Sequence, residues 1–352
     1  FVIACLVAIL QAAVVAVASP RLRVAVMVGL LLIGVALTGG TVSRIDQVSE
    51  AAAWHGFRMV ESRDSAYGRL QLIETGGETS LFENGIHVAT TGDAFSSEEN
   101  VHYALLMHPA PRRVLLIGGG LAGSLREALK HPGVTIDYLE LDSAMVDMVR
   151  RHVPSTAADM ATPRVRVIIA DARRFLRRSA GTYDVVIVNL SDPVTLLVNR
   201  YYTLEFFREV HSRLALGGLF AFSVTSSENY RSLEGRAYLR ILERTLRGAF
   251  DEVRSIPGDR HIFLASPTRG VISLDPQMLE ERLRARGVST QYVRSYYFRD
   301  RLSLERRAEV DRELKGDAAI NLDSRPSAFL AALVFWSTHF HSGFSHAVET
   351  IR

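Results

Sequence analysis

The chain has almost no cysteine: one residue, Cys5, in 352. A single thiol excludes an intrachain disulfide, a cysteine-built zinc site and the small disulfide-stapled scaffolds. Net charge is nearly absent too, with 41 Lys and Arg against 38 Asp and Glu, a formal charge of +3. That balance gives no electrostatic reason to expect a nucleic-acid partner. Internal repeats and low-complexity linkers are missing, as is an initial methionine; from Phe1 we expect a piece of a longer protein or a processed one. What is present is a composition of 48% hydrophobic and 22% charged residues, which excludes a disordered or collagen-like chain. At about 100–200 residues per domain, two or three domains fit the length.

The first 43 residues lack charge except in one short turn. Phe1–Ala18 and Val24–Ser43 are uncharged runs joined by Ser19-Pro20-Arg21-Leu22-Arg23. At 1.5 Å rise per residue each run reaches about 27–30 Å, roughly a bilayer core. The expectation is a transmembrane helical hairpin, residues 1–43, belonging to a truncated membrane region and contacting lipid. Arg21 and Arg23 argue for a cytoplasmic turn, whereas the cofactor reading below argues for a cytoplasmic body. The second argument is followed, so the expected location is a membrane with the catalytic domain in the cytoplasm.

Beyond the hairpin, short runs such as Phe57–Glu61, Arg69–Glu74 and Thr79–Phe82 alternate polar and apolar residues, punctuated by Gly76-Gly77 and Asn84-Gly85. Asn-Gly after alternation is a hairpin signal, so 54–111 reads as a small antiparallel β-unit. From Arg112 the pattern changes. Apolar runs Val114–Ile117, Ile136–Leu141, Val165–Ala170, Val185–Leu190 and Leu219–Val224 alternate with helical stretches such as Ser143–His152. This predicts an α/β domain over 112–270, a parallel Rossmann-like sheet with helices on both faces. Residues 271–352 read as a helical extension. In it, Asp275–Arg286 is amphipathic and Arg299–Arg312 is a solvated charged helix. Pro326–Phe340 is either a core helix or the start of a membrane segment.

Three features fall at the ends of three successive strands. Gly118-Gly119-Gly120-Leu121-Ala122-Gly123 follows the first and opens a helix, where glycines permit a sharp turn and close ligand approach. Alone it fits NAD, FAD or S-adenosyl ligands. Glu140, ending the second strand about 20 residues on, is placed to accept hydrogen bonds from both ribose hydroxyls. Asp171, ending the third, is placed to receive an adenine amino group. Asp142 reads better as a helix N-cap.

With these residues in place the chain resembles the polyamine aminopropyltransferases, the spermidine synthase family, on the class I S-adenosylmethionine-dependent methyltransferase fold. Val114–Gly123 with Arg126-Glu127, Leu139–Asp142, Asp171–Leu176, Tyr183–Pro193 and Tyr202–Phe207 carry the likeness, which covers roughly Trp54 to Phe340. Asn321-Leu322-Asp323-Ser324-Arg325-Pro326 is similar to the tail of membrane-attached members. The resemblance implies S-adenosylmethionine or decarboxylated S-adenosylmethionine as donor substrate and no metal. Gly118, Gly120, Gly123, Glu140, Asp171 and Ala172 would be the donor's contacts.

The acceptor side departs from the family. Its Asp-x-x-Asp-Pro pattern reads Asn189-Leu190-Ser191-Asp192-Pro193 here, and Leu121 stands where the glycine loop usually has Asp. A protonated amine must lose a proton before it attacks, and an amide oxygen is too weak a base for that. Asp192 is the remaining candidate base; its alternative is a turn-capping acid. Ser96 stands where a substrate-binding Tyr is expected. Glu98, Asn189 and Tyr202 are candidate pocket residues, and Arg200 adds a positive charge near the mouth. Tyr201 and Tyr202 either line the pocket or pack in the core. Ser226–Tyr230 either meets an acceptor or caps a helix. His339, His341 and His346 read as a bland terminal segment rather than metal ligands, and Arg173-Arg174 to Arg177-Arg178 as an exposed helix face. The activities left open are aminopropyl transfer to an amine, methyl transfer to another acceptor, and silent ligand binding. A homo-oligomer is left open.

Overall fold

The computed structural model describes residues 28–29, 41–228 and 231–338. Its first 59 residues form one unit, in which the helix Thr41–Ala53 is described. The two runs expected to cross a bilayer fall almost wholly outside the described residues. Among the described residues no helix is long and apolar enough to cross a membrane.

Four strands, β1 (Arg58–Asp64), β2 (Arg69–Thr75), β3 (Glu78–Glu83) and β4 (Ile86–Thr90), form the expected small sheet in the order β1-β2-β3-β4. The Asn-Gly signal is realised in the backbone. Asn84 and Gly85 both take positive φ, 53° and 77°, closing the antiparallel β3–β4 hairpin.

A seven-stranded sheet follows. β5 (Arg113–Ile117), β6 (Thr135–Glu140), β7 (Val165–Ile169), β8 (Tyr183–Val188) and β9 (Leu214–Thr225) are parallel; β11 (Arg260–Ser266) is antiparallel to both β9 and β10 (Glu252–Ile256). The order is β10-β11-β9-β8-β5-β6-β7. The chain winds outward from β5 through β6 to β7, then returns to β8 on the other side of β5. That reversal opens a crevice at the carboxyl ends of β5 and β8. Alternation divides the core between two faces. Val114, Leu116, Val185 and Ile187 pack with the helix Ala94–Met107, while Leu115, Ile117, Val186 and Val188 pack with the helices Ala172–Arg178, Leu204–His211 and Leu233–Arg247.

Two sequence readings are corrected. Arg299–Arg312 is two helices, Ser295–Arg301 and Leu304–Glu313, and Arg301 is not solvated: it is 2% exposed and pairs with the buried Glu99 at 2.8 Å. Similarly, Arg173 leaves the exposed face expected of its helix. It is buried between Glu209 (2.9 Å) and Asp323 (2.7 Å), while Arg177 stays outward. In both cases a carboxylate far away in sequence supplies the counter-charge that burial requires. Pro326–Phe340 takes its core-helix form over Ser327–Ser337, where Phe335 stacks on Tyr238 at 6.0 Å. The cluster His339, His341 and His346 lies outside the described residues.

Candidate donor and acceptor site

The glycine turn is built for close approach. Gly118 and Gly119 have φ of 72° and 73°, and a Cβ on Gly118 would come within 2.8 Å of the Asn189 carbonyl oxygen. Gly123, φ 97°, caps the helix Ser124–Leu129, and Ser97 donates its hydroxyl to the carbonyl of Ala122, tying this turn to the helix Ala94–Met107. Gly120 is pressed by a side chain the sequence reading passed over. A Cβ there would lie 2.5 Å from the Tyr138 hydroxyl.

Tyr138 stands two residues before Glu140 on β6, so both side chains leave the same face. Its hydroxyl donates to Glu140 Oε2 at 2.9 Å, and the backbone N–H of Leu141 donates to Oε1 at 2.8 Å. Burial pushes the Glu140 carboxyl above its ordinary range, and the Tyr138 and backbone hydrogen bonds pull it back in part. Period-two spacing from Glu140 is the signal that finds Tyr138. Asp142 takes the capping role expected of it, accepting from Ala144 N at 2.9 Å.

Asp171 follows β7 and has two tasks. Oδ1 accepts from Arg174 N at 2.8 Å, capping the helix that begins at the buried Ala172, and Oδ2 pairs with Arg200 at 2.8 Å. Tyr201 also donates to Oδ2 at 3.3 Å, and its phenol is pushed up by burial and the Asp171 charge. Arg200 thus covers the Asp171 carboxylate. The glycines, Glu140 and Asp171 lie at the ends of adjacent strands. They offer positive-φ turns and two hydrogen-bond-accepting carboxylates, which fit the donating hydroxyls of a ribose and the amino group of a base.

On the acceptor side the polar groups bond to one another. Arg260 Nε donates to Ser223 Oγ at 3.0 Å, and that hydroxyl lies 2.6 Å from Asn100 Oδ1. Asn100 Nδ2 donates to Asn189 Oδ1 at 3.2 Å, and Asn189 Nδ2 to Ser124 Oγ at 2.8 Å. Asn189 therefore has both halves of its amide engaged. Asp192 is 5% exposed, accepting from Thr225 N at 2.9 Å on Oδ1 and from Trp336 Nε1 at 3.1 Å on Oδ2. Glu98 is fully buried and holds the backbone N–H groups of Gln291, Tyr292 and Val293 at 2.6–3.0 Å. Tyr202 packs against Phe222 and donates to the Ser191 carbonyl, so its ring belongs to the core and its hydroxyl to the Asn189–Pro193 loop. Ser96 lies in the first turn of its helix, its N–H donating to the capping Asp93. Of Ser226–Tyr230, residues 229 and 230 lie outside the described residues; the N–H groups of Ser226 and Glu228 both donate to Asp259. Asn100, Ser223 and Arg260 carry no motif. They meet through the antiparallel pairing of β9 with β11 and the helix packed across them.

Comparison with known proteins agrees with this layout. The spermine/spermidine synthase domain matches residues 94–254. A polyamine aminopropyltransferase of Korarchaeum cryptofilum is 34% identical over 186 residues, 51% of this chain and 56% of that protein. One from Leptospira biflexa is 33% identical over 183 residues, 51% of this chain and 64% of that protein. The chain thus spans a little under two thirds, or less, of these relatives' length. Two solved structures share the fold. A spermidine synthase in complex with the transition-state analogue AdoDATO has a TM-score of 0.62 at 24% identity, over 73% of this chain and 88% of that one. The spermidine synthase of Thermotoga maritima has 0.59 at 23% identity, over 73% and 87%. The glycine turn, the two strand-end acids and the parallel strands β5 to β9 all fall within the segment that matches the spermine/spermidine synthase domain, so this part of the chain is similar to the spermidine synthases.

Proposed function

We propose that this protein transfers an aminopropyl group from decarboxylated S-adenosylmethionine to an amine, and that residues 1–43 attach it to a membrane with the catalytic part on the cytoplasmic side. The observation that carries the transfer reading is the donor cradle, Glu140 and Asp171 at adjacent strand ends beside the glycine turn, inside the segment that matches the spermine/spermidine synthase domain. In the reaction the neutral amine nitrogen attacks the propyl carbon bound to sulfur. The carbon–sulfur bond breaks with its electron pair on sulfur, which leaves neutral methylthioadenosine. The new ammonium then sheds a proton to water, since Asp192, the base expected from the sequence, is buried with both oxygens occupied by Thr225 N and Trp336 Nε1. On this reading Glu140 holds the ribose, Asp171 with Ala172 borders the base, and the turn Gly118–Gly123 lets the nucleoside approach the backbone.

Methyl transfer from S-adenosylmethionine is the second reading. Its support is the amide Asn189 and the apolar Leu121 where the family carries acids. Incubation with each donor separates the two: methylthioadenosine accumulates in aminopropyl transfer, S-adenosylhomocysteine in methyl transfer. For membrane attachment, the full chain should sediment with membranes and resist alkaline carbonate extraction; release by carbonate alone overturns that part.

A further inference from the structure

A diamine at neutral pH carries two positive charges, and a partly closed pocket must meet them with carboxylates. Most oxygens of the acids around this crevice are already engaged, though the buried Glu99 Oε2 has no hydrogen-bond partner among the described residues. Glu98 holds three backbone N–H groups, and Glu99 pairs with Arg301 at 2.8 Å and accepts from Tyr297 at 2.6 Å. Asp171 pairs with Arg200, and Asp192 accepts from Thr225 and Trp336. Asp93 and Asp142 cap helices.

The cation Arg260 stands in the opposite condition. It opens β11 opposite Thr225, the last residue of β9, and so lies at the same sheet edge as Asn189. It is half-buried, its Nε and Nη2 both donate to Ser223, and it forms no ion pair within 4.0 Å among the described residues, the Glu99 carboxylate acting on it only at longer range. Three hydrogen bonds, through Ser223 and Asn100, link it to Asn189 beside the glycine turn. Arginine can only donate, so this chain presents donors, and a positive charge, where a polyamine needs acceptors.

We propose that Arg260 makes this site select an amine that carries an anionic group, an amino-carboxylate class of acceptor, over a polyamine. The inference rests on the aminopropyl-transfer reading and narrows its acceptor. The guanidinium receives the anionic end; the neutral amine at the other end attacks the donor, with the same bonds made and broken as above.

The probes are 4-aminobutanoate and putrescine, of similar length but opposite charge at one end. Methylthioadenosine release from decarboxylated S-adenosylmethionine gives kcat/KM for each, and calorimetry on protein loaded with methylthioadenosine gives each acceptor's affinity. The expected result is a preference of at least tenfold for 4-aminobutanoate in both measurements. Arg260→Gln should abolish it while donor affinity stays unchanged, which also shows that the variant is folded, and Arg260→Lys should keep part of it. A parent that binds or uses putrescine equally well or better, or that binds neither probe, overturns the proposal. So does an Arg260→Gln variant with undiminished discrimination. Failure of the underlying reading looks different: S-adenosylhomocysteine forms and methylthioadenosine does not, whichever amine is supplied, while calorimetry still decides which charge the pocket accepts.

Discussion

On the proposed reading Glu140 accepts two ribose hydroxyls, which it does best when ionised, yet its burial favours the neutral acid. Tyr138 works against that tendency by donating to Oε2. Tyr138→Phe removes the donor and leaves the ring that Gly120 was shaped around. One hydrogen bond is worth about 0.5–1.5 kcal/mol net, so donor affinity should fall roughly two- to tenfold. The pH dependence carries the sharper sign. With the hydroxyl gone, the Glu140 carboxyl rises further, so the acidic limb of donor binding moves to higher pH. Glu140→Gln should bind at least tenfold more weakly and lose that limb. Calorimetric donor titrations between pH 4.5 and 8 (roughly the carboxylate-to-neutral span) check both; an unmoved limb in Tyr138→Phe means the hydroxyl does not tune Glu140. At this scale the sequence is legible where one residue ends a strand, as at Glu140 and Asp171. It is not legible where a residue's partner is fixed by register, as Arg260 is by its pairing with Thr225.

Secondary-structure elements show the same division. Alternation and Asn-Gly reveal β1 to β4, and continuous apolar runs reveal β5 to β9. The run His261–Ala265 of β11 is too short for periodicity to tell strand from helix, so the elements that deliver Arg260 stay hidden. The tail motif illustrates another kind of signal. Asn321 is fully buried. Its Nδ2 donates to Asn199 Oδ1 and the Tyr202 carbonyl at 3.0 and 2.9 Å, and its Oδ1 accepts from Ala328 N at 3.0 Å. It therefore staples the segment bearing Arg200 and Tyr201 to the last helix. The motif is recognisable as a string of residues, but its task is visible only when the segments meet. Asn321→Ala strands three buried polar groups at about 1–3 kcal/mol each before relaxation. A net loss of about 2–4 kcal/mol is expected, read as a lower urea midpoint. Loosening of Arg200 over Asp171 should also change donor affinity in the folded variant. Full stability in Asn321→Ala would sink the staple.

Across the whole molecule, two buried histidines must stay neutral for the fold to persist. His131 sits between His102 (2.9 Å) and Arg286 (3.3 Å). Arginine cannot accept, so His131 accepts at Nδ1 and donates from Nε2 to His102, whose own Nε2–H faces Glu127 at 2.9 Å. Burial, with the charges of Arg286 and Lys130, pushes His131 down to about 2. His261 is enclosed on the other face of the sheet, stacked on Phe263 at 4.7 Å, and neither ring nitrogen has a partner among the described residues. Burial, with Arg231 and Arg301, pushes it down to about 3. In the unfolded chain both would titrate near about 6.5. Because the folded values are lower, the unfolded state binds the extra protons. Stability is then complete above pH about 6.5 and is lost as pH falls toward 3 and 2. Two such groups give a slope of about 2.7 kcal/mol per pH unit below the unfolded value, a steep loss against the usual 5–15 kcal/mol. Glu127 adds to the loss at lower pH: burial raises its carboxyl, but His102 and Lys130 outweigh that and hold it low. Glu99, raised chiefly by burial, opposes it. Urea unfolding at pH 8, 6.5, 5.5 and 4.5 should show a flat region and then a steep decline. His261→Phe, which replaces an unpartnered ring by one of similar shape, should remove about half of the slope and cost little at pH 8. A parent whose stability is level from pH 7 down to 4.5, or a His261→Phe variant with an unchanged slope, would show that these rings take up protons without unfolding the protein.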